Sequence, residues 1–435
     1  MKLRSTLTVF ALVSALSVAH RAEAQESALA GLQSASDPAG RLQLGRAQRR
    51  AGRYDEALRT LRAAARGASR TDALYETARV YFDRAQSREA QRACGALPRG
   101  RGARDPEGML RHVCMARAHL VWRRAALAER EITAARAIDE NHPELRLILA
   151  DAERISGRLT QAEALYRAAA ERLPGRAEPH LGLGQLLEGQ GRLDDARAAY
   201  QRAVDADPRD PIAALALGRL LRRQGQLENA LGLLQRATTD RPAWAEALVE
   251  LGNVLLSRNA LDDALRAFNE AATIRAEQFG VQAGLGLVHL QAGRNAEAET
   301  ALRRAIEQVP NDAEARMGLA ELLGRTSRGE ESIEEWNRAI DLMPSDPMPR
   351  MRAATQSRSL GMNTLARAYL DRILSDDATH AAALLMRADI AFDENDWRTA
   401  RQLYQQAIAG HGTIDRARAQ ARIAEIDAPP RVRRR

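Results

Sequence analysis

A set of landmarks returns every 34 residues along most of this chain. His180 to Pro208 carries Leu183-Gly184, Gly191, Ala196, Tyr200, Ala203 and Pro208. Ala214 to Pro242 carries Leu217-Gly218, Gly225, Ala230, Leu234, Ala237 and Pro242. The series continues through Leu251-Gly252, Asn259, Ala264, Phe268 and Ala271, then Leu285-Gly286, Gly293, Ala298, Leu302, Ala305 and Pro310. It extends upstream to Leu149-Ala150, Gly157, Ala162, Tyr166 and Ala169. Downstream it runs through Trp336 and Leu370 to Ala388, Asn395, Ala400, Tyr404 and Ala407. Eight units without a gap occupy residues 143–414. A unit this short buries its apolar face only against its neighbours, so the chain must fold as a stack and not around one central core.

The composition says what each unit is made of. Aromatic residues are 4% of the chain, while alanine, leucine, arginine and glutamate dominate. These are strong helix formers, and a large β-sandwich or barrel is excluded. Each unit reads as two helices of about a dozen residues around a tight turn. Glycine or asparagine at 191, 225, 259 and 395 takes the left-handed conformation such a turn needs. Pro208, Pro242, Pro310 and Pro344 close the second helix or open the next. Gly184, Gly218, Gly252 and Gly286 lie inside the first helix, where each costs about 1 kcal/mol against alanine. They are expected where a side chain would push the second helix away. Tyr166, Tyr200, Phe268, Trp336 and Tyr404 are expected to fill the core between units.

A large residue, Leu-Gly, turn Gly, Ala, an aromatic or Leu, Ala and Pro at these offsets resembles the tetratricopeptide repeat family. The resemblance covers about nine tenths of the chain after its first 24 residues. It implies an all-α, right-handed superhelical α-solenoid of about eleven helix-turn-helix repeats. Three looser units precede the regular eight. The first contains Leu44-Gly45, Gly52, Ala57, Leu61 and Ala64; the second Ala78, Tyr81, Ala90 and Leu97; the third is read on Ala118, Val121 and Ala137.

The chain divides accordingly. Residues 1–24 read as a signal peptide: Lys2 and Arg4, an apolar stretch Leu7 to Val18, and Ala22-Glu23-Ala24 before the cleavage point. That stretch is too short to span a bilayer. The expected location is periplasmic or secreted. Residues 25–37 form an N-terminal linker, and 38–110 hold two divergent repeats with a loop inserted at 98–108. Residues 111–142 are a divergent third repeat, 143–414 the regular array, and 415–435 a capping helix and basic tail.

Cys94 and Cys114 flank the inserted loop. Stacking of adjacent units would bring the two sulfurs together, and export permits a disulfide between them. The alternative is two buried thiols.

No sequence pattern for catalysis stands out. His-Glu-x-x-His, Gly-x-Ser-x-Gly and a phosphate-binding glycine loop are all missing. His112 and His119 share a helix but lack a third ligand, and Asp205 to Asp210 reads as an inter-unit turn. No metal or cofactor is expected. The net charge is +8, yet Lys2 is the only lysine. The basicity is therefore an arginine bias, without the interleaved aromatics that stack bases, and nucleic-acid binding is not expected.

The resemblance implies that ligands meet first-helix positions, here including Gln185, Arg219, Arg222, Arg223, Asn253 and Glu321. Arg219, Arg222 and Arg223 form a basic cluster suited to a carboxylate or acidic peptide. The function expected is a non-enzymatic protein–protein interaction scaffold in the bacterial cell envelope, with a peptide or protein partner on the concave first-helix surface. The alternative is an accessory subunit of an envelope polysaccharide synthesis, modification or export system.

Overall fold

A computed structural model describes residues 37–100 and 105–428. The expected signal peptide, most of the linker, residues 101–104 of the inserted loop and the basic tail from 429 lie outside the described residues. The described chain is all helix, apart from one isolated bridge between His380 and His411, and divides into two units between Arg258 and Asn259.

The first unit runs α1 (Pro38–Arg50), α2 (Tyr54–Ala64), α3 (Arg70–Asp83), α4 (Ser87–Gly95), α5 (Met109–Val121), α6 (Ala125–Ile138), α7 (Pro143–Ile155), α8 (Leu159–Arg172), α9 (Glu178–Gly189), α10 (Leu193–Ala206), α11 (Pro211–Arg223), α12 (Leu227–Asp240) and α13 (Ala245–Ser257). The second runs α14 (Leu261–Ile274), α15 (Val281–Gln291), α16 (Asn295–Gln308), α17 (Ala313–Arg325), α18 (Gly329–Leu342), α19 (Pro347–Ser359), α20 (Asn363–Asp376), α21 (Ala381–Asp393), α22 (Trp397–Ala409) and α23 (Arg416–Asp427). Odd-numbered helices up to α21 are the first helix of a repeat, called helix A below. Even-numbered ones are helix B. No described helix is long and apolar enough to cross a membrane.

The interior is made as the sequence predicts. Tyr166, Tyr200, Phe268, Trp336 and Tyr404 are all buried. A Cβ added to Gly184 would lie 2.4 Å from the Tyr200 ring. One added to Gly284 would lie 2.2 Å from the Phe268 ring, which belongs to the preceding repeat. Each helix-B ring thus wedges between repeats, and the glycines mark where it enters.

The buried tyrosines also need their phenol protons, which periodicity did not reveal. Tyr166 donates to Asp151 at 2.6 Å, Tyr200 to Glu188 at 2.8 Å and Tyr404 to Asp389 at 2.6 Å. Burial first, and then the neighbouring carboxylate, pushes each phenol above its ordinary range. A folded-state value above the unfolded one gives stability that is complete below about pH 10 and lost as pH rises beyond it. Helicity followed by circular dichroism should therefore fall from about pH 10 upward, in step with tyrosinate absorbance. Full helicity retained to pH 12 would contradict this.

The turn residues correct the reading of the third repeat. Gly191, Gly225, Asn259 and Asn395 have positive φ as expected, but so do Ala85, Arg123 and Ser327. Arg123 lies 34 residues before Gly157, so the regular register runs into the third repeat unbroken. Its core is Ala116, Ala128, Ile132 and Ala135, all buried, whereas Val121 and Ala137 of the expected register are exposed. An arginine at the glycine position had hidden the match. Left-handed backbone strains a non-glycine residue by about 1–2 kcal/mol. Arg123→Gly should accordingly strengthen hydrogen-exchange protection across α5 and α6, by about 1 kcal/mol after the entropy cost of glycine. Unchanged or weaker protection there would show the turn to be unstrained.

The last described helix, α23, packs on the final repeat. Ala419 and Ile426 of α23 are buried against Ala388, Ala391, Ala400 and Tyr404. Arg418 reaches Asp389 at 2.9 Å, and the Arg422 guanidinium sits 4.3 Å from the centre of the Phe392 ring.

Candidate functional site: a charged lumen in the first unit

The first six A helices converge on a cavity of about 830 Å³ inside the first unit. The unit curls until its first repeat meets its sixth. Arg50 at the end of α1 pairs with Asp207 before α11 at 3.2 Å. The Arg241 guanidinium lies 5.2 Å from the centre of the Tyr54 ring and 4.5 Å from that of Trp244. Asp207 and Asp210 belong to the acidic turn noted in the sequence. Asp210 caps α11, accepting from the backbone N–H of Ile212 and Ala213 at 2.8 and 3.0 Å.

Carboxylates and guanidinium groups interlock on the cavity wall. Glu76, with a side chain only 4% exposed, accepts from Arg46 at 3.0 Å and Arg49 at 3.2 Å, and pairs with Arg79. Arg49 also holds Asp83 at 2.7 Å. Arg79 crosses to Glu178, and Arg176 binds both Glu178 and Glu144. Tyr75 donates to Glu144 at 3.0 Å. Burial alone would push Glu76, Glu144 and Glu178 up; the surrounding arginines outweigh it and hold all three below the ordinary carboxylate range. Phe82, Leu110, Leu181 and Ile212 add apolar surface to the same wall.

One repeat position supplies Arg46, Arg79 and Arg117 of this wall. It is the sixth residue before each turn residue, occupied in order by Arg46, Arg79, Arg117, Asp151, Gln185, Arg219 and Asn253. Gln185, Arg219 and Asn253 were singled out from the sequence. Of their upstream equivalents, Arg117 was hidden because the third repeat was read out of register; Arg46, Arg79 and Asp151 stand in repeats read in register and were not singled out. Projecting the turn residues back through Arg123, Ala85 and Gly52 recovers them.

The remaining predicted positions are placed as follows. Arg219 and Arg222 of α11 share Glu250 of α13 at 3.0 and 3.1 Å, and Arg219 also reaches Glu246. Arg223 pairs with Glu188 at 2.5 Å. The basic cluster is thus interleaved with acids of adjacent repeats, and a ligand there must compete with them. Gln185 is exposed, and the half-buried Asn253 backbone carbonyl accepts from Ser257. Glu321 lies in the second unit, paired with Arg325. His112 contacts Glu131 at 2.7 Å instead of His119. Among the described residues no group of three or more His, Cys, Asp or Glu side chains is arranged to hold a metal. A smaller cavity of about 350 Å³ in the second unit lies beside the exposed Phe279.

Cys94 and Cys114 meet in the first unit, their Cα atoms 5.4 Å apart, both buried with Tyr75, Ala78 and Leu97. Cys94 stands where Tyr166 stands in the fourth repeat, and Cys114 where Gly182 stands in the fifth. The sulfurs occupy the place that the ring and its glycine fill elsewhere.

Helix pairs that stack through such wedges and turn their A helices to a common lumen define a helical-repeat array. The chain belongs to the tetratricopeptide repeat family. Matches to that repeat cover residues 181–243, 215–278 and 284–347, and also 42–73 and 382–411, together about half of the chain. Among solved structures, it is similar to a tetratricopeptide repeat protein from Parabacteroides merdae, with 20% identity, 57% of this chain and 97% of that one covered, and a TM-score of 0.44. It is similar to a thermophilic repeat protein of Thermus thermophilus at 25% identity, with 41% of this chain and 98% of that one covered and a TM-score of 0.38. Yeast Tom70 is similar at 14% identity, with 95% and 94% covered and a TM-score of 0.47. No curated protein matches the sequence.

Proposed function

We propose that the protein is a non-enzymatic scaffold of the bacterial cell envelope that binds a peptide or protein partner on its helix-A surfaces. One observation carries this reading: the A helices of six repeats face a single lumen that holds both charged and apolar side chains. Such a surface offers a partner directional ion pairs beside apolar contact, the combination that peptide-recognising grooves use. The envelope location rests on the export signal read in residues 1–24 and on a Cys94–Cys114 disulfide, which an oxidising compartment would maintain. Arg219, Arg222, Arg223, Gln185 and Asn253 continue the same surface beyond the lumen. There an acidic partner would replace Glu188 or Glu250 as the arginines' counter-charge. Glu321 offers an equivalent position in the second unit.

The test is copurification from envelope extracts after mild cross-linking, with partners identified by mass spectrometry. The expected result is one dominant envelope protein. Its loss on changing Arg219, Arg222 and Arg223 to glutamine would assign them to the contact; its retention would remove them from it. Recovery of no enriched partner would overturn the scaffold reading.

A further inference from the structure

One A helix of the second unit begins differently from its neighbours. In the 34-residue register, Gln278 stands where Asp210, Asp312 and Asp346 cap α11, α17 and α19 through their side chains. The Gln278 side chain meets Arg275 instead, and the chain stays unwound through Phe279 and Gly280, whose φ is +86°, before α15 starts at Val281. No side chain caps α15, so the backbone N–H groups of Gln282 and Ala283 lack the acceptor that an aspartate supplies elsewhere. The unwound turn also leaves Phe279 61% exposed. Gln282 is the second departure. It is only 9% exposed and lines the cavity of about 350 Å³, yet among the described residues its side-chain amide makes no hydrogen bond. At the equivalent position Ala214, Leu248 and Leu384 are apolar, while Arg316 and Arg350 donate to the carbonyls of Pro310 and Pro344. A covered amide without a partner is costly, and a ligand that pairs with it offsets that cost.

We propose that this cavity of the second unit is a binding site for a neutral saccharide. Its polar lining is mixed. The open N–H groups at the start of α15 call for an acceptor, while Glu277 and Asp312 call for a donor. Asp312 accepts from the Ala315 N–H with one oxygen at 3.0 Å and keeps the other. An anion would meet two carboxylates, and no arginine or lysine lines the cavity in a chain that carries 65 of them. Arg275 and Arg316, the closest in sequence, are engaged with Gln278 and with Glu335. A cation would meet the uncapped N–H donors. A hydroxyl group both donates and accepts, so it suits the two halves of the lining together. The amides of Gln282 and Gln308 have the same double capacity. The exposed Phe279 ring supplies an apolar platform for the C–H face of a sugar ring. A volume of about 350 Å³ falls at the lower end of small-ligand pockets, roughly 300–1,000 Å³. It is confined to one junction between repeats, whereas an extended peptide needs a long groove or a strand edge. This site goes beyond the scaffold reading and does not depend on it.

The experiment uses the full chain and three neutral hexasaccharides: cellohexaose, maltohexaose and the β-1,4-linked hexamer of N-acetylglucosamine. Calorimetry measures binding, and hydrogen exchange resolved by segment reads the backbone amides at the start of α15. At least one hexasaccharide is expected to bind at millimolar concentration and to slow exchange over residues 279–284. Phe279→Ala and Gln282→Leu should each weaken that binding about tenfold or more, while Phe279→Trp should retain it. Phe279 is exposed and leucine is the residue found at 248, so both variants are compatible with the fold. Unchanged exchange in α16 to α18 is the check on each. The exchange measurement on the parent needs no variant, so a folding defect leaves the test intact. No binding of any of the three sugars, binding that neither Phe279→Ala nor Gln282→Leu weakens, or protection gained only outside residues 277–312 would overturn the proposal. So would Phe279-dependent binding of spermidine, of oligogalacturonate or of an N-acetylated hexapeptide amide in place of the neutral sugars, since each would assign the cavity to another chemistry.

Discussion

Glu76→Leu should cost the first unit about 3–5 kcal/mol, the loss typical when one member of a buried ionic group is removed. Glu76 is almost fully covered and is the counter-charge for Arg46, Arg49 and Arg79. Leucine has a similar volume, so packing changes little while three guanidinium groups lose a shared acceptor. Arg49 keeps Asp83 and Arg79 keeps Glu178, which places the expectation toward the lower end of that range. A repeat array need not unfold in one step, so a single midpoint is the wrong readout. Hydrogen exchange resolved by segment is the right one. Protection should fall across α1 to α5 and stay unchanged in the second unit. Unchanged exchange in α1 and α3 would show that these ion pairs contribute nothing to stability.

The same group predicts the response to acid. Its neighbouring arginines hold the folded-state value of Glu76 below the unfolded one. The stability this contributes is complete above the unfolded value of about 4.3 and is lost as pH falls through the folded one. Glu144 and Glu178 act in the same direction. The first unit should thus loosen in acid by the same route as Glu76→Leu, and the variant should show a smaller acid-dependent change than the parent.

Period and turn chemistry made the helical array legible wherever the turn residue was glycine or asparagine. Where it was Arg123, Ala85 or Ser327, the backbone adopted the same left-handed conformation without the residue type that announces it. Tertiary stacking had overridden local preference, and only the 34-residue spacing betrays the register. The lumen suffered from this at Arg117. Gln185, Arg219 and Asn253 were legible as one row, but the arginines completing it lie in the three divergent repeats. The meeting of the first repeat with the sixth, through Arg50, Asp207, Tyr54 and Arg241, was not legible at all. It joins residues more than 150 positions apart and depends on small rotations accumulated over six repeats. Arginine-to-carboxylate pairing has the same limit: in a chain this rich in arginine, charge types alone do not tell a paired cluster from a free one.

The second large effect is expected at Cys94 and Cys114. If they are bonded, closing a loop of sequence separation 20 stabilises the first unit by about 3 kcal/mol in the chain-entropy account. Changing both to alanine should cost about that much, plus the packing lost from the cluster with Tyr75, Ala78 and Leu97. Reductant should reproduce the first part in the parent and do nothing to the variant. Thiol titration of protein purified without reductant supplies the independent check, and two reactive thiols after denaturation would sink the disulfide. The repeat register adds a more discriminating test. The sulfurs stand where Phe268 meets Gly284 elsewhere in the array. Cys94→Phe combined with Cys114→Gly would rebuild that wedge without a cross-link. It should recover the packing contribution that alanine loses, but not the entropic one. Stability midway between the alanine variant and the oxidised parent, and insensitive to reductant, would show that the cross-link stands in for a ring. Stability no better than that of the alanine variant would mean that the inserted loop has reshaped this junction, so that only two small side chains fit there.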